Sequence, residues 1–291
     1  MKDSLGDKIF YTINNIMLTI IGLLCLLPIL NIIAVSFSSE HAVNSGSVGL
    51  LPVGFSLNSY EKLIKGTNVI RTFQNSVLIT VVGILLSVTA TIIAAYPLSK
   101  RGFFGRKFFA KAVVFTMLFS GGIIPTYLVI RQFGFINHYT ALWIPSLVNS
   151  YNLLVMKTFF ENIPLEMEES AKIDGCGEFR LLLQIVLPLS VPVIATMILF
   201  YGVGYWNVFM PVLMYMNNPI KYNLTVLIQQ MILNQELLRN INANITDIDV
   251  PIAADGIKAA GIVIILLPMM VVYPFVQKHF VKGVMLGAVK G

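Results

Sequence analysis

Between Arg71 and Lys100 the chain runs through 28 consecutive residues without a charged side chain. A run of that length covers the ~20 helical residues needed to cross the hydrocarbon core of a bilayer. Inside lipid every backbone N–H and C=O must find an internal partner, so such a run has one regular solution, the α-helix. The pattern recurs: Lys8 to Glu40 is free of charge, Lys111 to Arg131 encloses 19 uncharged residues and Arg131 to Lys157 encloses 25. Apolar runs at Ser190 to about Met214 and Ala259 to Val276 complete the set. The expected fold class is therefore all-α, a polytopic membrane protein with six transmembrane helices at 13–36, 72–98, 110–130, 139–158, 190–214 and 258–277 within a single domain, 1–291. The composition agrees, because 12% charged residues is half the ~25% of a soluble globular chain.

Lysine and arginine placement sets the orientation. With the N-terminus inside, thirteen of the 20 basic residues fall on the cytoplasmic side and seven outside. Both termini are then cytoplasmic, and the formal charge of +6 is largely a topology signal. No basic stretch interleaves with exposed aromatics, which argues against a nucleic-acid partner. The first apolar run exceeds a signal-peptide core and no A-x-A site follows it, so it reads as a retained span. Cys25 in the first span and Cys176 in a cytoplasmic loop sit at different depths and do not suggest a disulfide.

Local punctuation adds detail. Gly, Ser and Pro mark an external loop over Ser38–Ile70. Gly121-Gly122 and Pro125 in FSGGIIPTYL are expected to break the third helix. Asn149-Ser150-Tyr151-Asn152 places a polar cluster at membrane depth in the fourth. Leu224–Leu238 has the apolar spacing of an amphipathic helix within a long external segment. NANITDID after it reads as a polar loop, and the basic tail Lys282–Gly291 fits either a contact with a partner protein or a free tail.

The polar stretch 161–189 is unusual for lying between such apolar neighbours. Pro164 suits the first turn of a short helix, and Glu166, Glu168 and Glu169 load that end with negative charge, which the macrodipole favours. Asp174-Gly175 reads as the helix stop, with Gly175 free to adopt the left-handed conformation. A second short helical run is expected to end at Leu187-Pro188. The whole reads as a compact docking knuckle at a membrane face.

Glu169-Ser170-Ala171, then Gly175, then Ile185 and Leu187-Pro188, resembles the EAA–G–I–LP signature of ABC importer permeases, with Ser170 a small-for-small departure. Tyr96-Pro97-Leu98-Ser99, FSGGIIPTYL, YGVGYWNVF and the terminal GAVKG extend the resemblance to the maltose-type carbohydrate permeases, and FSGG, IPTYL and YWN to their complex-oligosaccharide branch, uronate-containing substrates included. The resemblance implies a MetI-like permease core in a bacterial cytoplasmic (inner) membrane. It implies that Glu168, Glu169, Ser170, Ala171, Asp174, Gly175, Ile185, Leu187 and Pro188 couple the chain to an ATPase. The implied partners are a second homologous permease subunit, two copies of a cytoplasmic ABC ATPase that hold ATP and Mg, and an extracytoplasmic sugar-binding protein, all around membrane lipid.

Chemistry of other kinds is missing from the sequence. There is no GxxxxGK[ST], so no P-loop for ATP, and no HExxH or CxxC. His41, His138 and His279 lack a second ligand at metal spacing, so no metal site and no cofactor are expected in this chain. A membrane-embedded enzyme or an anchored sensor is the reading from another class. The first calls for acidic or histidine clusters at a membrane face beyond the knuckle, the second for an added soluble domain.

Intramembrane polar residues usually face a bundle interior or a watery cavity. Asn75, Asn149, Asn152 and Asn207 offer donors and acceptors to sugar hydroxyls. Tyr151, Tyr205 and Trp206 offer flat faces with a polar edge. These seven are the candidates for a substrate path. The competing reading for each asparagine is a bridge between helices.

Overall fold

The computed structural model describes residues 5–242 and 254–288, so most of NANITDID and the end of the tail lie outside the described residues. In chain order the elements are α1 (Leu5–Ser36), α2 (Glu40–Asn44), α3 (Asn58–Gly66), α4 (Val69–Ser99), α5 (Arg106–Leu118), α6 (Ile123–Gln132), α7 (Thr140–Trp143) and α8 (Ser150–Glu161). Then follow α9 (Leu165–Ile173), α10 (Glu178–Leu181), a π-helical turn (Leu182–Val186), α11 (Leu187–Leu189), α12 (Val191–Trp206) and α13 (Met210–Tyr215). A 3-10 turn (Pro219–Lys221), α14 (Leu224–Asn242) and α15 (Ala254–Ala288) complete the set, with no strand among the described residues.

Three helices, Gly6–Ser36, Val69–Ser99 and Asp255–Val272, are long and apolar enough to cross a membrane unaided. Two further stretches reach that length only as bent pairs, α5 with α6 at 115° and the run 178–189 with α12 at 80°. The expected third span is thus two helices. Its break falls at Phe119–Gly122, where Gly122 takes φ +84, and Pro125 then sits in the first turn of α6. The expected fourth span is also interrupted: α7 ends at Trp143 and helix resumes only at Ser150. Pro145 supplies no donor there, and the Asn149 side chain caps the new helix by accepting from the Asn152 N–H, a bond that draws the chain out of a continuous helix. The expected fifth span breaks again after Trp206, and Pro211 starts α13.

The chain divides into two compact units, residues 1–69 with 228–267, and 70–227 with 268–291. In the first, α1 is exposed along most of its apolar length, none of its most apolar stretch being buried. Its end is clamped by short bonds: Ser36 Oγ lies 2.9 Å from the Tyr60 hydroxyl, Ser38 Oγ donates to the Ala34 carbonyl and accepts from the Val53 N–H, and Phe37 stacks on Phe55. The loop 38–70 therefore carries two short helices, α2 and α3, that the turn signals did not announce.

The second unit is organised by α4. Gly83, Ser87, Thr91, Ala95 and Ser99 recur at every fourth residue, so they form one ridge that winds slowly around the helix. Ser87, Thr91 and Ala95 have no exposed surface, whereas Leu85 and Ile93, off that ridge, are each 63% exposed. In lipid, apolar surface gives helices no reason to associate, and small residues drive association by letting backbones approach. Gly83 shows the approach directly: a Cβ there would stand 2.6 Å from Cδ2 of Tyr205 on α12. Hydroxyl bonds reinforce the contact, with Ser87 Oγ 2.8 Å from the Tyr205 hydroxyl and Thr91 Oγ1 2.7 Å from that of Tyr201.

This packing generates a test. Gly83→Ala should destabilise the protein by about 1–3 kcal/mol, the usual cost of overpacking, because the neighbour that must move is a buried ring. Gly22→Ala on α1, where an added Cβ meets nothing within 4 Å, should cost nothing. Thermal unfolding of the detergent-solubilised protein measures both, and equal melting temperatures would refute the close-approach account.

Candidate functional site

The knuckle begins where Pro164 occupies the cap position before α9 with extended backbone, one residue ahead of the first-turn position expected for it. Glu166 and Glu168 occupy the first turn. Ser170 turns its hydroxyl onto the Glu166 carbonyl at 2.8 Å, which explains how serine replaces alanine without disturbing the surface. The helix ends in a Schellman arrangement: the Gly175 N–H donates to the Lys172 carbonyl and the Cys176 N–H to the Ala171 carbonyl, at 3.0 and 2.9 Å. That geometry requires the left-handed conformation, and Gly175 has φ +77 with open space around the missing Cβ. The requirement at Gly175 is therefore conformational rather than steric.

The second helical run does not stop at Leu187-Pro188. It widens into the π-turn 182–186, whose last bond joins the Leu187 N–H to the Leu182 carbonyl, and continues to Leu189. Proline lacks a donor and its ring clashes with the carbonyl four residues back. Widening the turn upstream lets the helix pass Pro188 without that clash.

The adjacent glutamates divide as their spacing requires. Glu168 is buried and pairs with Lys100, at the end of α4, whose Nζ also lies 4.5 Å over the Tyr96 ring. Glu169 points outward and makes no ion pair among the described residues. Across the turn, Glu178 Oε1 accepts from Lys172 at 2.7 Å and its Oε2 from the Tyr96 hydroxyl at 2.8 Å. The Lys172 bond, followed by that of Tyr96, holds the Glu178 carboxyl below its ordinary value of 4.5, and the same pair raises Lys172. A cleft of about 870 Å³ runs beneath, lined among others by Lys100, Arg106, Glu161, Glu169 and Glu178. Large apolar side chains stand outward on the knuckle: Ile173 is 86% exposed and Phe179 76%. Sequence reasoning passed over both, although an isoleucine and a phenylalanine flanking a polar turn are an available signal.

Of the substrate-path candidates, the structure gathers four. Asn149, Tyr151, Asn152 and Tyr205 line one cavity of about 640 Å³, together with Ser146 and Tyr201. Tyr201 was missed; its hydroxyl accepts from the Asn149 N–H at 3.0 Å and shares a second bond with the Thr91 hydroxyl at 2.7 Å. Tyr151 is half exposed and stands 6.2 Å from the Phe200 ring. The other three lie elsewhere. Asn75 is buried and its amide donates to the Ile220 and Tyr222 carbonyls, both at 2.8 Å. Trp206 is buried edge-on against Phe73. Asn207 is exposed and donates back to the Val203 carbonyl of its own helix.

The chain matches, over residues 1–286, the family described as binding-protein-dependent transport system inner membrane component. It is 41% identical over 291 residues to the polygalacturonan/rhamnogalacturonan transport system permease protein YtcP of Bacillus subtilis (strain 168), with 100% of each chain covered. It is 42% identical over 291 residues to protein LplC of the same organism, covering 100% of this chain and 98% of that one. The crystal structure of a bacterial ABC transporter involved in the import of the acidic polysaccharide alginate contains a chain that aligns with a TM-score of 0.84 at 29% identity, over 96% of this chain and 99% of that one. The family model and the full-length relatives define the class, a multi-pass membrane permease and not an enzyme. The chain belongs to the binding-protein-dependent transport system inner membrane components, the permease subunits of ABC importers.

Two tests follow from this geometry. Asn75→Ala removes the part-buried bonds to the Ile220 and Tyr222 carbonyls, at about 0.5–1.5 kcal/mol for each bond, so it should lower the melting temperature. Asn207→Ala should leave it unchanged. The knuckle pair is a depressed carboxylate, so its stabilisation is present above pH 4.5 and is lost as pH falls through the lower folded value. Glu178→Gln reproduces the acid form at neutral pH. Cys176 in that variant should react with a thiol reagent faster, by less than about fivefold for so exposed a pair; an unaltered rate would show that the pair does not hold the turn.

Proposed function

We propose that this chain is one of two permease subunits of an ATP-driven importer of oligosaccharides, uronate-containing ones included. Full-length similarity to a permease named for polygalacturonan and rhamnogalacturonan carries the substrate class, and the fold shared with a subunit of an alginate importer agrees with it. In this reading residues 1–291 form one domain with six spans and both termini in the cytoplasm. The knuckle 161–189 docks on one of two cytoplasmic ATPases, which hold ATP and Mg, and an external sugar-binding protein delivers the cargo.

The knuckle is suited to the task. Its fold is fixed by a Schellman turn and two ion pairs, while Ile173 and Phe179 are left facing outward. Buried in a partner's cleft, such side chains are each worth about 1.5–3 kcal/mol relative to exposure. The cargo path in this chain runs past Asn149, Tyr151, Asn152 and Tyr205, whose cavity has hydroxyl and amide groups for sugar hydroxyls and aromatic faces for ring C–H groups. Asn75, Trp206 and Asn207 lie off that wall.

Reconstituted transporter in proteoliposomes tests the docking. Gly175→Asn keeps a residue that tolerates the left-handed conformation, whereas Gly175→Val does not. The asparagine variant should import labelled oligogalacturonide at near the parental rate, and the valine variant and Glu169→Lys should hydrolyse ATP with little import. Parental import by both of the latter would overturn the docking role. Cys176 should react with an impermeant thiol reagent only from the cytoplasmic side; labelling in intact cells would overturn the topology.

A further inference from the structure

Glu161 at the start of the knuckle pairs with Arg106 of α5 and Lys157 of α8, while the bonds around its turn run to α4. Lys172 at the end of α9 and Glu178 at the start of α10 flank the Gly175 turn, and the Tyr96 hydroxyl joins them through the second oxygen of Glu178. Lys100, just past the end of α4, takes the buried Glu168. The knuckle is thus tied to the end of α4 on both sides of its turn. Tyr96 is also packed edge-on to Phe160 of α8, so its ring is fixed and only its hydroxyl is committed to the knuckle. Further up the same helix, Thr91 and Ser87 bond the hydroxyls of Tyr201 and Tyr205, which wall the 640 Å³ cavity. From Tyr96 to Ser87 is nine residues, about 14 Å of rigid helix.

We infer that Tyr96 and Lys100 are positioning residues that make α4 the push-rod between knuckle and cavity: movement of the knuckle is passed through their bonds to α4, and by Thr91 and Ser87 to the tyrosines lining the path. The inference rests on the docking role and the cargo path proposed above. It explains why a tyrosine and a serine flank the proline in Tyr96-Pro97-Leu98-Ser99. Pro97 has no N–H to give, Ser99 Oγ satisfies the Tyr96 carbonyl at 2.7 Å, and the helix stops with its last turn intact for Lys100 to leave it. A rod of this kind needs discrete contacts at both ends, because coupling is carried by elements with defined alternative arrangements rather than by proximity.

The test uses the full transporter in proteoliposomes, with assembly checked by size exclusion, and reads labelled oligogalacturonide imported per ATP hydrolysed. Tyr96→Phe removes the hydroxyl and keeps the ring. Import per ATP should fall by about threefold to tenfold, the scale of one lost hydrogen bond. Lys100→Glu should lower the ratio as well, and Lys100→Glu with Glu168→Lys should restore it; this pair carries the test should Tyr96→Phe not assemble. A merely structural role would change yield and melting temperature and leave the ratio alone. A parental ratio in Tyr96→Phe or Lys100→Glu overturns the push-rod if Gly175→Val still uncouples. If Gly175→Val is also fully coupled, the docking reading fails and takes this one with it.

Discussion

The close approach of α12 to α4 at Gly83 is the contact on which the larger unit depends. In water, the apolar faces of these helices would be driven together by burial alone. In lipid, that drive is absent, because acyl chains solvate leucine as well as another leucine does. What remains is dispersion between surfaces that fit and hydrogen bonds that have no water to replace them. The α4 stripe supplies both. Small residues at every fourth position remove the bulk, and the hydroxyls of Ser87 and Thr91 meet those of Tyr205 and Tyr201 with no exposed surface on the α4 side. Large aliphatic residues such as Leu85 and Ile93 are turned outward instead, the reverse of a soluble helix.

That constraint also explains where the helices break. A broken helix frees backbone groups, and at membrane depth each must be answered. Asn149 caps α8, the Tyr201 hydroxyl takes the Asn149 N–H, and Asn223, Ser76 and Asn75 perform the same service for the segments around α13 and the 3-10 turn. The cavity opens beside one of these repairs. Its lining is polar because a break there must be satisfied, and the same groups then present themselves to cargo. A polar residue at such a site can cap a helix and line the cavity together: the Asn149 Oδ1 caps α8 while the residue still lines the wall.

The long apolar runs, the all-helical class, the amphipathic helix at 224 and the left-handed Gly175 were legible from residue order alone, because each depends on local chemistry. The knuckle's turn could be read from Asp174-Gly175 since only glycine meets that conformation freely. The continuity of the spans could not. The interval 132–156 looks uniform in charge, yet Pro145 and a capping asparagine divide it, and apolar content does not record where a cap competes with a helix. The path residues separated for a similar reason. Trp206 and Tyr205 are neighbours in sequence, but successive helical residues lie about 100° apart, so one lines the cavity and the other packs on Phe73. Tyr201, one turn before Tyr205, shares its face and was the residue that periodicity could have supplied. Lys100–Glu168 and Tyr96–Glu178 join residues 68 and 82 positions apart, and nothing in the sequence pairs them.

For an acidic cargo the neutrality of the cavity has a consequence. None of the residues that line it is charged, so a uronate carboxylate passing there meets hydroxyls, amides and aromatic rings of this chain and no cation. A fixed lysine or arginine at that depth would bind the carboxylate strongly, since ion pairs strengthen where water is excluded, and a transport path that binds tightly holds its cargo instead of releasing it. Neutral donors offer bonds worth about 1 kcal/mol each net, enough to replace part of the hydration shell and weak enough to be exchanged from one sugar unit to the next. Recognition of the charge then belongs on the binding protein, where dwell time is an advantage. The knuckle contrasts with that neutral cavity, since Glu161, Glu168 and Glu178 are held in fixed pairs with Arg106, Lys157, Lys100 and Lys172.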